Sequence, residues 1–124
     1  MRTITFDTGA LIGLERKNAR IVAIGRVAKK RGDLIIVPAA VLAEWWRGRS
    51  DVRDMILGLV DVEPLDAELA KVAGEAIAAV KGATVVDAIV MASAARSGSA
   101  VYTSDLDDLQ RLQAFFPDTR IFKV

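Results

Sequence analysis

The chain has 124 residues, of which 52% are hydrophobic and 27% charged, and its 17 basic and 16 acidic residues give a net charge of +1. This length fits a single domain, residues 1–124, with a substantial buried core. The chain contains no cysteine and no histidine, which excludes a disulfide framework, an ordinary zinc site and any catalytic triad or dyad that needs histidine.

Short apolar runs typical of strands alternate with stretches of helical periodicity along the first half of the chain. The continuous apolar run 34–37 predicts a strand buried on both faces, as in a parallel sheet. Gly32 fits the end of the helix before it, and Pro38 fits the first turn of the helix after it. The predicted elements are a strand at 3–6, helices at 10–16 and 19–31, a strand at 34–37 and a helix from Pro38 to near Gly48.

The same alternation continues through the second half, where Ser50, Asp66 and Thr84 each precede a helical stretch, as N-cap residues do. The predicted elements are a helix at 51–58, a weak strand at 60–64, helices from Asp66 to Gly82 and at 85–97, a strand at 100–103, a helix at 106–116 and a strand at 120–124. This alternation predicts an α/β fold, a three-layer sandwich with a mostly parallel central sheet flanked by helices. Ligands of such sheets bind beyond the carboxyl ends of the strands.

The near-neutral net charge conceals an asymmetry between the two halves. Residues 1–53 hold eleven basic and five acidic residues (+6), and residues 54–124 hold six and eleven (−5). A basic region favours a polyanionic partner, although a solvated helix face gives the same pattern. No apolar run approaches the length of about 20 residues that spans a bilayer, so we predict a cytoplasmic protein without a membrane segment.

Four acidic residues occupy positions typical of a metal-dependent site. Asp7 directly follows one predicted strand, and Asp105 comes two residues after the end of another. Glu44 and Asp87 lie within apolar sequence, where a carboxylate is costly to bury unless it is paired or bound to a metal. Each acid has a local alternative as a helix cap or as the edge of a buried face. If the four converge, their oxygen ligands select a hard cation, Mg²⁺ or Mn²⁺. Such an ion activates water for phosphodiester hydrolysis without histidine or cysteine.

Four short segments carry these acids in the order DTGALI (7–12), VLAE (41–44), VDAIVMA (86–92) and TSDLDDL (103–109). Over essentially the whole chain, this order resembles that of the PIN-domain ribonucleases, and most of all the VapC-type toxins of toxin–antitoxin pairs. The resemblance implies a PIN-like sheet with Mg²⁺ held by Asp7 and Asp87, and by Glu44 and Asp105 directly or through water. It also implies an RNA substrate, a homodimer and a cognate antitoxin whose C-terminal segment crosses the active site.

The chain departs from the family pattern at one position and is ambiguous at another. Gly9 stands where many relatives carry Ser or Asn, which removes a polar contact to metal-bound water and leaves the acids in place. Asp107 and Asp108 follow Asp105, and either could support the site or simply favour the start of a helix. We favour Asp108 as the supporting residue.

Basic and aromatic residues soon after Glu44 indicate further surfaces. We predict that Arg47 and Arg49 lie nearest the RNA path, because an RNA backbone needs cations beside acids that repel it. A solvated face is the alternative. Trp45 and Trp46 are adjacent, so one is expected in the core and the other at a protein interface.

The leading hypothesis is a Mg²⁺-dependent endoribonuclease toxin, and two alternatives stay open. One is a catalytically degenerate PIN-like module that binds only RNA or protein, against which the presence of all four acids argues. The other is an aspartyl-phosphate enzyme or receiver domain that uses Asp7. The phosphatase version usually needs a second Asp at the position of Gly9, and the receiver version needs an acidic pair and a lysine that we do not find at suitable positions.

Overall fold

The computed structural model describes residues 2–124, which form five strands and seven helices. The strands are β1 (Thr3–Phe6), β2 (Leu34–Pro38), β3 (Asp61–Glu63), β4 (Ala100–Thr103) and β5 (Ile121–Lys123). The helices are α1 (Thr8–Glu15), α2 (Ala19–Arg31), α3 (Ala39–Trp45), α4 (Asp51–Leu59), α5 (Ala67–Ala79), α6 (Val85–Ser97) and α7 (Leu106–Leu112). Each strand before β5 is followed by at least one helix, which is the connection that parallel strands require.

The central sheet is parallel throughout, with the strand order β3-β2-β1-β4-β5. The chain builds the sheet outward from β1 to β3 and then returns to place β4 on the other side of β1. The strand order therefore reverses between β1 and β4, where a doubly wound sheet opens a crevice at its carboxyl edge. Asp7 leaves β1 and Ser104 leaves β4 at this edge.

Helices cover both faces of the sheet, which confirms the predicted three-layer α/β sandwich. In one layer α1 packs on α2 and α4, and α2 packs on β2. The other layer holds α5, α6 and α7, with α6 against β1 and β4. Because α6 lies between its neighbours and the sheet, it is buried continuously from Ala88 to Ala94. The apolar side chains of Phe6, Val37 and Val101 are fully buried on the strands.

The bounds of the elements lie within a few residues of the prediction except at the last helix. α1 begins earlier than predicted, because Asp7 accepts a hydrogen bond from the Ala10 N–H and caps the first turn. α7 ends at Leu112, short of the predicted end at 116, because the chain tightens into a turn in which the N–H groups of Gln113, Ala114 and Phe115 bond to carbonyls three residues back. Within residues 2–124, none of the helices is long and apolar enough to cross a bilayer.

Candidate active site

Asp7 is buried at the start of α1, with 8% of its surface exposed. Its Oδ1 accepts a hydrogen bond from the Ala10 N–H at 2.9 Å, and its carboxylate also bonds to the Thr103 side chain. The pKa of Asp7 is raised from 3.8 to about 6 in spite of these bonds, chiefly by burial and in smaller part by the charges of Asp87 and Asp105. Asp7 therefore caps α1 and is at the same time a buried carboxyl group that feels the charges of two other acids.

Asp87 lies half-buried in the first turn of α6. Thr84 caps this helix, since its Oγ1 accepts the Asp87 N–H at 3.2 Å. Burial raises the pKa of the Asp87 carboxyl, and the nearby charges of Asp108, Asp105 and Glu44 raise it as well. The carboxyl is therefore close enough to three other acids for their charges to oppose its ionisation.

Asp105 follows β4 and forms a pair with Asp108. The Asp105 N–H donates to Thr103 Oγ1 at 2.9 Å, and the Asp105 side chain makes no capping bond to α7, so capping does not explain this acid. A hydrogen bond to Asp105 and the charge of Asp105 raise the pKa of the Asp108 carboxyl. Arg111 contacts Asp108 at 3.7 Å. Asp107 is exposed, so of the two ambiguous acids it is Asp108 that bonds to Asp105.

Glu44 reaches the same edge of the sheet from α3. Its Oε1 accepts a hydrogen bond from the Thr8 hydroxyl at 2.6 Å, which ties it to the first residue of α1, beside Asp7. The Glu44 side chain is exposed, and its charge acts on Asp87. The four predicted acids thus come from the ends of β1 and β4 and from α3 and α6, and they gather at the carboxyl edge.

We define the acid cluster as Asp7, Glu44, Asp87, Asp105 and Asp108. Its carboxylate oxygens are the ligands that hard divalent cations prefer. The charges that act on Asp7 and Asp87 are all carboxylates. Within residues 2–124, however, no three acidic side chains form a ready-made metal-binding group. The cluster fits a metal by its chemistry, while mutual repulsion favours a wider spacing of the side chains than a bound ion requires.

The two arginines predicted to lie near RNA are exposed and make local contacts. Arg47 donates to the carbonyl oxygens of Trp46 at 2.7 Å and Ala43 at 3.4 Å. Arg49 forms an ion pair with Asp54 at 2.9 Å. Their place near the RNA path stays a prediction, and these contacts are what an RNA backbone would have to replace.

The two adjacent tryptophans differ in burial, as their sequence positions led us to expect. Trp45 is buried, and its indole N–H donates to Glu15 at 2.7 Å. Glu15 also pairs with Arg53 at 3.3 Å, so this network joins α3 to α1 and α4. Trp46 is half-buried beside Trp45, with ring centroids 6.1 Å apart.

Sequence reasoning missed the hydroxyl groups that hold the acids. Thr103 bonds to both Asp7 and Asp105, and Thr8 bonds to Glu44. Each threonine lies within two residues of an acid of the cluster, and that proximity is the signal that could have found them.

The glycine at position 9 allows a close contact that the sequence did not reveal. A Cβ at this position would overlap the Ser104 hydroxyl and crowd the Ser104 Cβ at 2.8 Å. The start of α1 and the segment after β4 therefore approach closely because residue 9 has no side chain. The space beside Gly9 is filled by the hydroxyl of Ser104, so a polar group stands there after all.

Solved structures share this fold over nearly the whole chain. VapBC2 from Rickettsia felis, bound to a DNA fragment from their promoter, matches with a TM-score of 0.78 and 12% identity, covering 98% of each chain. DNA-bound VapBC from Salmonella typhimurium matches with a TM-score of 0.74 and 18% identity, covering 99% of this chain and 98% of that chain. FitAB bound to an IR36 DNA fragment matches with a TM-score of 0.66 and 19% identity, covering 97% and 94%.

The curated proteins compared with the chain include no match. The family model of the PIN domain, by contrast, matches residues 4–114. This range covers most of the chain and contains every residue of the acid cluster, which confirms the resemblance seen in the sequence. The chain belongs to the PIN domain family.

Proposed function

We propose that this protein is a Mg²⁺- or Mn²⁺-dependent endoribonuclease and acts in the cytoplasm as the toxin of a toxin–antitoxin pair. PIN domains are generally nucleases, and the VapBC structural neighbours are toxin–antitoxin complexes. One observation carries the proposal: carboxylates from four separate elements gather where the strand order reverses, and the charges acting on the two most central ones are all negative. A surplus of negative charge at such a crevice favours a bound cation.

In this proposal Asp7 and Asp87 hold the metal directly, and Glu44 and Asp105 complete the set of ligands. When bound, the ion supplies charge neutralisation at the phosphate and activates water for attack on it. The protein supplies orientation. Thr103 and the Ala10 N–H fix the Asp7 carboxylate, and Thr8 fixes Glu44.

Proton release from the cluster prepares it for a cation. The pKa of Asp7 is about 6, so this carboxyl is ionised at neutral pH and adds its charge to the cluster. A divalent cation at this edge would offset the repulsion between carboxylates that contributes to the raised pKa of Asp7 and of Asp87.

An antitoxin is the second part of the proposal, and an apolar groove between α2 and α4 supports it. The groove has a volume of about 840 Å³, and Met55 at its rim is 63% exposed. Its apolar lining residues include Leu14, Val22 and Leu59, and its basic lining residues include Lys17, Arg26 and Lys29. We propose that it receives an antitoxin segment with apolar and acidic side chains. We further propose a homodimer, with Trp46 at a protein interface.

A catalytically degenerate PIN domain that only binds RNA is the second candidate. It is favoured by the spacing of the acids, since no three of them in residues 2–124 form a ready-made metal-binding group. The aspartyl-phosphate alternative is disfavoured, because Asp7 is buried and its carboxylate is already bonded to Thr103 and to the Ala10 N–H.

The test is Mg²⁺-dependent cleavage of a structured RNA by the wild type, Asp7→Asn and Asp87→Asn. Asparagine keeps the size of the side chain and can still cap α1 at position 7, so we expect the fold to persist. Activity should fall roughly a hundredfold or more, as it does when one preorganised electrostatic group is removed from a catalytic site. Asp118→Asn is the matched control, since Asp118 is exposed and lies outside the acid cluster.

Full activity in both cluster variants would overturn the nuclease mechanism. RNA binding by the wild type with no cleavage in either Mg²⁺ or Mn²⁺ would favour the degenerate binding domain.

A further inference from the structure

In the layer formed by α1 and α2, α2 packs on β2 and α1 packs on β4, and neither packs closely on β5, which leaves the β5 side of this sheet face open. Tyr102 and Phe122 lie side by side on this open part, with ring centroids 5.5 Å apart and planes tilted by 32°. The register pairs Tyr102 with Phe6 on one side and Phe122 on the other, so the three rings share a face. Phe6 is fully buried and Phe122 is 38% exposed, so this aromatic row runs from the core to the surface.

Two arginines border the exposed rings. A cavity of about 350 Å³ is lined by Tyr102 and Phe122 and by Arg2 and Arg120, and no acidic side chain is among the described residues that line it. Arg120 is exposed and forms no ion pair with any residue of the described chain. Arg2 contacts Asp33 at 3.8 Å, and Asp33 lines the smaller neighbouring cavity.

We propose that this surface, the Tyr102–Phe122 face, binds single-stranded RNA by stacking a base on the exposed rings and holding flanking phosphates with Arg2 and Arg120. Stacking on an aromatic ring is open to every base, because every base has a π-face. Guanidinium groups suit phosphate oxygens and also stack on bases. A duplex keeps its bases stacked inside the helix, so the surface selects unpaired nucleotides.

The position of this surface suits substrate capture. Its arginines precede β1 and β5 at the amino edge of the sheet, away from the acids that repel RNA. β4 joins the two regions, since Ala100 lines the cavity and Thr103 bonds to Asp7, and the two residues are about 10 Å apart along an extended strand. The inference rests on the proposed function, because it names where the RNA substrate is held outside the acid cluster.

The test is binding of a labelled single-stranded oligoribonucleotide, measured by fluorescence anisotropy in a metal chelator so that cleavage cannot interfere. Phe122→Ala should weaken binding about tenfold, because the base no longer stacks on that ring. Arg120→Glu should weaken it by a similar factor and reduce the slope of log affinity against log salt by about 0.7 for each phosphate that is no longer neutralised. Lys71→Glu is the matched control, because it makes the same change of charge at an exposed position of α5, in the opposite layer.

Three outcomes would overturn the proposal. Wild-type affinity in both Phe122→Ala and Arg120→Glu would exclude the surface. Equal weakening by Lys71→Glu would assign the binding to net charge. Competition by a free mononucleotide at the same concentration as the oligoribonucleotide would identify a nucleotide site in place of an RNA surface.

Failure of this proposal is distinguishable from failure of the nuclease mechanism. Asp7→Asn removes a negative charge and leaves the rings and the arginines of this face unchanged, so it should bind the oligoribonucleotide at least as tightly as the wild type. If the wild type binds RNA through the Tyr102–Phe122 face but does not cleave it, the binding proposal is supported and the nuclease proposal is contradicted. Circular dichroism melting of each variant establishes that the folded protein is the species measured.

Discussion

The two edges of the β-sheet carry side chains of opposite charge, acids at the carboxyl edge and arginines at the amino edge. At the carboxyl edge, burial raises the pKa of Asp7 and of Asp87, and the charges of neighbouring acids contribute to both shifts. At the amino edge, Arg2 pairs with Asp33, and Arg120 stands beside exposed aromatic rings. A parallel sheet collects every residue that follows a strand at one edge and every residue that precedes one at the other. The contrast shows that the charges at one edge oppose folding, whereas the other edge contributes ordinary stabilising contacts.

The largest effect is expected from Asp7→Asn, which tests whether the charge at the carboxyl edge opposes folding. Because the pKa of Asp7 is about 6 when folded and near 3.8 when unfolded, the folded state holds the proton more tightly. The stability gained from that proton is fully present below about pH 3.8 and is lost as pH rises to about 6. Asn cannot ionise, so at pH 8 the variant should be more stable than the wild type by about 3 kcal/mol.

Denaturant unfolding of both proteins between pH 4 and pH 8 in the absence of divalent ions measures this difference. The gain should shrink towards zero near pH 4, and Asp118→Asn should show no such trend. A loss of stability at pH 8 in Asp7→Asn would mean that the cap and the Thr103 bond outweigh the burial of charge.

The second prediction is that Mg²⁺ offsets the free-energy cost of the charged carboxylates at the carboxyl edge and so stabilises the folded protein. A ligand that binds only the folded state stabilises it by about 2.7 kcal/mol at a concentration one hundred times its Kd. Thermal unfolding in MgCl₂, compared with NaCl at matched ionic strength, should show a higher Tm for the wild type. Asp7→Asn and Asp87→Asn should lose most of this gain, and an equal gain in all three proteins would separate Mg²⁺ from the acid cluster.

The third prediction tests the close approach that holds the carboxyl edge together. Gly9→Ala places a Cβ on the Ser104 hydroxyl, so either Ser104 or α1 must move, at a cost of about 1–2 kcal/mol. Adding Ser104→Gly should recover most of that loss, because it removes the group that the new methyl meets. Gly74→Ala is the control, since a Cβ there meets nothing within 4 Å and should stabilise α5 by about 0.5–1 kcal/mol. Equal effects at both glycines in urea unfolding would contradict the steric account.

Much of the fold and of the acid cluster could be predicted from the sequence, because both depend on local patterns. Strand–helix alternation predicts a parallel sheet, and a parallel sheet brings the residues after its strands to one edge. The sequence alone therefore predicts that Asp7 and Asp105 lie at the same edge of the sheet. Glu44 and Asp87 were recognised by a different signal, a carboxylate within apolar sequence, and the order of all four acids along the chain then matched the family.

The rest depends on contacts between residues distant in the chain. Nothing in the sequence indicates that Ser104 occupies the space beside Gly9, because that contact is fixed by how α1 crosses the end of β4. The Tyr102 and Phe122 rings meet only because β5 pairs with β4 in one particular register. The distances between the acidic side chains could not be predicted either, since they depend on how α3 packs against α1 and how α6 packs against β1 and β4.

The smallest expected effect lies at the amino edge and completes the comparison. Arg2→Ala removes an exposed guanidinium that contacts Asp33 at 3.8 Å, while the hydrogen bond from the residue 2 backbone N–H to Asp33 at 2.9 Å remains. The Asp33 side chain is buried, but the Arg2 side chain is 62% exposed, so water screens this long ion pair. Unfolding in urea should therefore show a loss below about 1 kcal/mol. The loss should not depend on Mg²⁺, in contrast to the variants at the carboxyl edge. A larger loss, or one that Mg²⁺ relieves, would mean that the two edges are energetically coupled through the sheet, and the separation into an opposing and a stabilising edge would be wrong.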